Sequence, residues 1–245
     1  MSCPYKTCGL QEYRISALIL AGGKGVRMSS EQKKQYLALA GRPILQHTIE
    51  RFTTSPGVHD ILLVVPEKDQ LFCLNTILRP LGIDTRVELV CGGKERQNSV
   101  LNGLEALADR VDHTKKNIVL IHDGVRPFAD HLLLERCIKG AVRHRACVPG
   151  LRVSDTIKRG DHDGFVRSTV NRENLFQVQT PQAFDLDLIL RAHRKAAETG
   201  CLATDDGALV EQMGEKVFIT EGVRENIKIT EPVDLELAAF FLSRS

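Results

Sequence analysis

Three clusters of glycine and cationic residues, one of them with an aspartate, punctuate this 245-residue chain, and their side-chain types suit the binding of an anion. The first is "AGGKGVRM", Ala21 to Met28, where Gly22, Gly23 and Gly25 stand beside Lys24 and Arg27. Glycines without Cβ atoms let backbone N–H groups approach phosphate oxygens, and Lys33 and Lys34 follow shortly after. The second, "CGGKERQNSV", frees the backbone at Gly92 and Gly93 and adds donors at Lys94, Arg96 and Ser99. The third, "IHDGVRPF", sets Asp123 beside Gly124 and Arg126. An aspartate in that position is a natural ligand for Mg²⁺ or a ribose hydroxyl. Taken singly, each cluster has a plainer reading: a tight turn, an aspartate capping Val125, an arginine in a surface ion pair, solvated lysines.

The elements that must position these clusters are legible as apolar runs. "ISALIL", "DILLVV" (60–65), "RVELV" (86–90) and "NIVLIH" (117–122) read as strands. Helical patterns run between them: Pro43 to Thr53 with proline in the first turn, Glu67 to Leu78, and Glu95 to Leu107. Strands separated by helices of this length imply right-handed crossovers and a parallel sheet covered on both faces. Ligands of such sheets bind beyond the carboxyl ends of the strands, where all three clusters fall. Together they describe a nucleoside triphosphate site. Two named motifs are excluded: Met28 stands where G-x-G-x-x-G needs its third glycine, and "GGKG" lacks the ending of a P-loop.

After Pro149 the alternation breaks. "VSDTIKR" and "FVRSTV", separated by "GDHDG", read as a hairpin, and an arm over about 150–175 reads as a projection toward a ligand or a second subunit. The arm lies between expected helices Leu132–Arg143 and Leu186–Ala197. The chain resumes with "KVFITEG" and closes on an expected amphipathic helix, Pro232 to Leu242. Thr180-Pro181 reads as a turn before a helix, Asp205-Asp206 as a helix cap, and Lys228 as the exposed face of a short strand "NIKIT". Residues 1–14 read as a disordered extension and 15–245 as one domain.

Composition sets limits. A net charge of +2 gives no global field for nucleic acid or membrane, and no apolar run approaches the ~18 residues of a membrane span. Seven scattered cysteines without a C-x-x-C pair argue against a disulfide framework or a zinc site, and place the chain in a reducing cytoplasm.

In their order, these motifs resemble the 2-C-methyl-D-erythritol 4-phosphate cytidylyltransferases of non-mevalonate isoprenoid synthesis, from about Ser16 to Leu242. The series comprises G-x-G-x-R-M, K-Q-Y-L (Lys34 to Leu37), G-x-E-R-x-x-S-V (Gly93 to Val100), H-D-x-x-R-P (His122 to Pro127), D-T-I-K, T-P-Q-x-F, T-D-D and N-I-K-I-T. "LAGG", "HDGVR", Asn171 and Gly207 depart from common family forms and remove no residue given a chemical role.

The resemblance implies a Rossmann-like α/β sheet with an antiparallel dimerisation arm. It also implies transfer of CMP from CTP to methylerythritol phosphate with release of pyrophosphate. By that resemblance Arg27 and Lys34 stabilise the reacting α-phosphate, while Arg172 and Lys228 position the acceptor with Thr156, Thr180 and Thr204. Ala21, Gly22, Gly23, Gly25, Gly93, Arg96, Ser99, Asp123 and Arg126 would hold the nucleotide. Mg²⁺ or another divalent cation would bridge the phosphates and touch Asp123. The subunits of a homodimer would complete each other's substrate sites. A pentitol phosphate cytidylyltransferase on the same fold and a non-catalytic nucleotide-binding module are the alternatives.

Overall fold

The structure, a computed structural model, describes residues 12–22, 33–112 and 114–244. The expected extension at residues 1–14 lies mostly outside them, as does the stretch 23–32.

Strand β1 (Tyr13–Leu20) is followed by a single 3-10 turn at Lys34–Tyr36 and a two-residue ladder of β2 (Ala38–Leu39) with β3 (Arg42–Pro43). Helix α1 spans Ile44–Thr53, so Pro43 is its N-cap and not a first-turn residue. After β4 (Asp60–Val65) the expected helix 67–78 is irregular: a 3-10 turn, a short α2 (Gln70–Phe72), a π turn at Cys73–Leu78 and a second 3-10 turn. Pro80 explains part of this, because it lacks the N–H that the Thr76 carbonyl would accept from in an α-helix. The Gln46 side chain donates to that carbonyl instead, at 3.1 Å. Gly82, at φ +66°, ends the run in a left-handed conformation that suits glycine.

Next come β5 (Val87–Cys91), α3 (Arg96–Ala108), β6 (Lys116–Asp123), α4 (His131–His144) and β7 (Ala146–Arg152). The arm is β8 (Ile157–Gly160) paired antiparallel with β9 (Val166–Val170), as the hairpin reading expects. Then follow β10 (Phe176–Val178), β11 (Gln182–Asp185), α5 (Leu186–Thr199), α6 (Asp206–Gln212), β12 (Phe218–Glu221) and α7 (Pro232–Leu242). Thr180-Pro181, a cis peptide, therefore precedes a strand and not a helix. Asp130, Asp185 and Asp205 cap α4, α5 and α6 by accepting backbone N–H bonds.

The main sheet has eight strands in the order β10-β7-β11-β6-β1-β4-β5, with β12 added along β7. β5, β4, β1 and β6 are mutually parallel, and β11 runs antiparallel to β6. Along β1, Ile15, Ala17 and Ile19 face one core with α1 and α4, while Leu18 and Leu20 face another with α3, α5 and α6. Burial on both faces is why the strand reads as a continuous apolar run. At Gly103 helix α3 lies tight against the sheet: a Cβ there would stand 2.3 Å from Leu18 Cδ1.

Helix α7 corrects an expectation. It is not simply amphipathic: Ala238 is its one buried residue, and Val233, Leu237 and Phe240 stay exposed. Among the described residues no helix is long and apolar enough to cross a membrane.

Candidate active site

Register places the strand ends together. Leu20 of β1 pairs with Val64 of β4 on one side and with Asp123 of β6 on the other, and Val65 pairs with Cys91 of β5. Beyond this edge lies a cavity of about 470 Å³. Ala21 and Gly22 line it from the first cluster, Gly93, Lys94, Glu95, Arg96 and Ser99 from the second, and Asp123 and Val125 from the third. Lys34 and Lys228 close it from two other segments. A larger cavity, about 640 Å³, lies at the opposite sheet edge, but its Arg14 already grips Asp60 through two bonds of 2.6 Å and its Arg110 pairs with Glu88. The smaller cavity is therefore the better anion site.

The glycine-rich turn after β5 is shaped by the Ser99 side chain. Gly93 donates its N–H to Ser99 Oγ at 3.0 Å, and that hydroxyl donates to the Glu95 carbonyl at 3.0 Å. A Cβ on Gly93 would stand 2.4 Å from Asn98 Cβ, so the tight approach needs glycine. Glu95 and Asn98 form a capping box that starts α3 with Arg96 as its first residue. On the other side, Gln35 Nε2 donates to the Ala21 carbonyl at 2.7 Å, tying the Lys34 turn to the end of β1.

Asp123 is the electrostatic centre. Lys228 Nζ stands 2.7 Å from Oδ2, Arg96 Nε 3.4 Å from Oδ1 and Arg126 Nε 3.9 Å from Oδ2. Burial pushes the carboxyl upward, but Arg96, Lys228 and Arg126 together hold it well below the usual carboxylate range. It is a permanent anion among cations. Its backbone N–H donates to Thr180 Oγ1 at 3.1 Å. The same hydroxyl lies 3.1 Å from His122 Nδ1, and His122 Nε2 lies 3.0 Å from the Arg126 carbonyl. A carbonyl can only accept, so Nε2 carries the proton and Nδ1 accepts from Thr180. Burial pushes this imidazole down to about 4, and it stays neutral.

Lys228 does not sit on a strand. Its segment is stitched down by Ile229 N–H donating to the Val125 carbonyl at 3.0 Å and by Arg126 Nη1 donating to the Asn226 carbonyl at 2.8 Å. Buried Asn226 in turn donates to the Thr180 carbonyl at 2.8 Å. These bonds turn Lys228, read in the sequence as an exposed strand residue, toward Asp123.

Asp206 is the residue the sequence reading missed. Asp205 does cap α6, but its neighbour is buried and accepts Arg96 Nη1 and Nη2 at 3.1 and 2.7 Å. The signal available was the pair itself, since one helix start uses one capping aspartate.

The remaining expected residues are placed variously. Gly23, Gly25 and Arg27 lie outside the described residues. Thr180 is buried and Arg126 mostly so; neither lines the cavity, and both hold its wall from behind. Thr204 is exposed and off the cavity lining, as are Thr156 and Arg172. Arg172 donates to the Ser154 carbonyl within the arm.

A cationic cavity at the carboxyl edge of a parallel sheet, centred on an ionised aspartate, can neutralise a polyphosphate. The family model of 2-C-methyl-D-erythritol 4-phosphate cytidylyltransferase matches residues 15–244. The enzyme of that name from Clostridium acetobutylicum is 42% identical over 229 residues, covering 94% of this chain and 97% of that one. Its counterpart from Geotalea uraniireducens is 44% identical, with the same two coverages. The crystal structure of 4-diphosphocytidyl-2C-methyl-D-erythritol synthase from Anaerococcus prevotii superposes with a TM-score of 0.80 at 32% identity, over 96% of this chain and 98% of that one. The chain belongs to the 2-C-methyl-D-erythritol 4-phosphate cytidylyltransferase family.

Proposed function

We propose that this enzyme transfers CMP from CTP to 2-C-methyl-D-erythritol 4-phosphate and releases pyrophosphate. The observation that carries the reading is the ring of Lys34, Lys94, Arg96 and Lys228 around a cavity floored by Asp123. The acceptor phosphate is already an anionic nucleophile, so the reaction asks less for a base than for relief of repulsion between two anions. Fixed cations supply that relief, most strongly where charge grows at the α-phosphate. In this reading Lys34 and Arg27 flank the α-phosphate. The glycine backbone at Ala21, Gly22 and Gly93 admits the nucleotide closely, and Lys228 leaves Asp123 to meet the acceptor phosphate.

The residues fit a divalent cation of the Mg²⁺ type. Among the described residues no group of three His, Cys, Asp or Glu side chains could hold a metal alone. One ionised carboxylate in a phosphate-binding cavity is, however, the usual protein share of a Mg²⁺ site. Asp123 would hold the ion, which would neutralise phosphate charge when bound.

The arm supports a homodimer as part of this reading. Phe165 is 71% and Val166 62% exposed at its tip, and Thr156 and Arg172 stand off their own chain's cavity. Supplied to a partner's cavity, they would complete its acceptor side. One domain over 15–245 and a cytoplasmic location belong to the same proposal, supported by the continuous sheet and the free thiols of Cys73, Cys91, Cys137, Cys147 and Cys201.

Purified protein with CTP, Mg²⁺ and each candidate acceptor tests the assignment. Pyrophosphate should appear with methylerythritol phosphate. Release with ribitol 5-phosphate alone would move the enzyme to the pentitol phosphate class, and release with neither would favour the binding module.

A further inference from the structure

Behind the cavity floor runs a chain of buried polar groups that cytidylyl transfer, as described, does not use. His193 on α5 places Nε2 3.1 Å from Asp206 Oδ1, and Asp206 on α6 grips both terminal nitrogens of Arg96. The imidazole and carboxylate side chains are 0% and 1% exposed, whereas Arg96 reaches the cavity at 35%. The Asp206 backbone is also pinned: Gly207 N–H donates to Gln182 Oε1 at 3.1 Å, and Gln182 Nε2 donates to Asp205 Oδ2 at 2.7 Å.

Folding alone gives little reason for such a chain. Removing an ion pair from water carries a large desolvation cost, and well-packed apolar residues of similar volume are often as stable or more so. What the charged chain supplies is orientation. A carboxylate that accepts from both terminal nitrogens fixes the plane of a guanidinium. A guanidinium carries five N–H donors; bonds to Asp206 and Asp123 engage three of Arg96's, and two remain for a ligand. His193 in turn stops the Asp206 carboxylate from rotating. Burial pushes the Asp206 carboxyl up, but the Arg96 charge and the bond from His193 outweigh it, so the group stays ionised.

We propose that His193 and Asp206 are positioning residues for the nucleotide: the buried imidazole sets the carboxylate, and the carboxylate sets Arg96 to donate to CTP. The proposal rests on the reading of the cavity as the CTP site. His193 and Asp206 touch no substrate, and they act through Arg96.

The test uses the full chain with CTP and Mg²⁺, measuring Kd by calorimetry and KM and kcat for both substrates, with circular dichroism to confirm folding. His193→Leu and Asp206→Asn should each raise the Kd for CTP about tenfold while the acceptor KM stays within about twofold. His193→Gln, whose amide N–H can replace the lost donor, should restore tight binding. In an Arg96→Ala background His193→Leu should add no further loss, because the residue it acts through is gone. A merely structural role would lower stability and leave that coupling at zero. Unchanged CTP affinity in the folded single variants, or an undiminished penalty in the Arg96→Ala background, overturns the proposal. Should the leucine variant fail to fold, the near-isosteric Asp206→Asn carries the same cycle. Failure of the wild-type protein to bind CTP would overturn the reading of the cavity, and this proposal with it.

Discussion

The cavity rim and the β-arm are built by opposite rules. At the rim, Asp123 meets three cations, and Thr180, Asn226 and His193 are buried polar groups with hydrogen bonds that cross between distant segments. In the arm, β8 and β9 pair only with each other in the described structure, and their residues are exposed except for the two half-buried ends, Ile157 and Val170. The rim is held by bonds within its own chain. The arm has no core of its own and leaves Phe165 and Val166 in water. A hairpin of two strands is marginal by itself. The difference separates a cavity lined by the chain's own cations from an arm that holds Thr156 and Arg172 away from it.

The largest effects come from removing one group on each side. Lys228→Ala at the rim and Arg172→Ala on the arm should each lower turnover roughly 10²–10³-fold. If the arm serves a neighbouring subunit, mixing the two variants should rebuild about a quarter of the sites in a randomly exchanged dimer. No recovery after confirmed subunit exchange would place both residues in one self-contained site.

A pH titration of stability should report the rim and its support. Burial holds His122 at about 4 and His47 below its ordinary value, so the folded state resists their protonation. Their contribution is full above about pH 6.5 and falls as pH drops toward 4, with His122 contributing about 3 kcal/mol. Urea unfolding at a series of pH values measures this. A flat profile between those limits would show that His122 is not held neutral.

Smaller effects separate core from arm. Gly103→Ala, with its Cβ forced against Leu18, should destabilise the protein by about 1–3 kcal/mol. Phe165→Ser at the arm tip should change protomer stability by less than about 0.5 kcal/mol. It should nevertheless weaken self-association in sedimentation velocity. An arm variant that melted the protomer as Gly103→Ala does would erase the contrast between the regions.

Much of this was legible in sequence, for definite reasons. The strands of the parallel core are buried on both faces, so "DILLVV" is apolar at every position after Asp60 and its limits match β4. Clusters directly after such strands must fall at one sheet edge, and Gly93, Arg96, Ser99 and Asp123 do line one cavity. The irregular run 67–81 was hidden because its apolar spacing imitates an α-helix, while Pro80 and Gln46 decide the backbone bonding. The resemblance put Thr180 and Arg126 on the ligand side, whereas their bonds to the Asp123 segment set them behind the cavity wall, because a motif shows what a side chain can bond and not which way it faces.

What the sequence by itself determined was the alternating architecture, the sheet edge carrying the chemistry and the cation-rich character of that edge, because these follow from local periodicity and from residues adjacent in the chain. Only the tertiary structure decided that Lys228 turns inward to Asp123, and that Asp206 and His193 stand behind Arg96. Arg96 and Asp206 are 110 positions apart, and Arg126 and Asn226 are 100 apart. Such pairings depend on how α6 and the 222–229 segment pack against the sheet, and no local pattern encodes that packing.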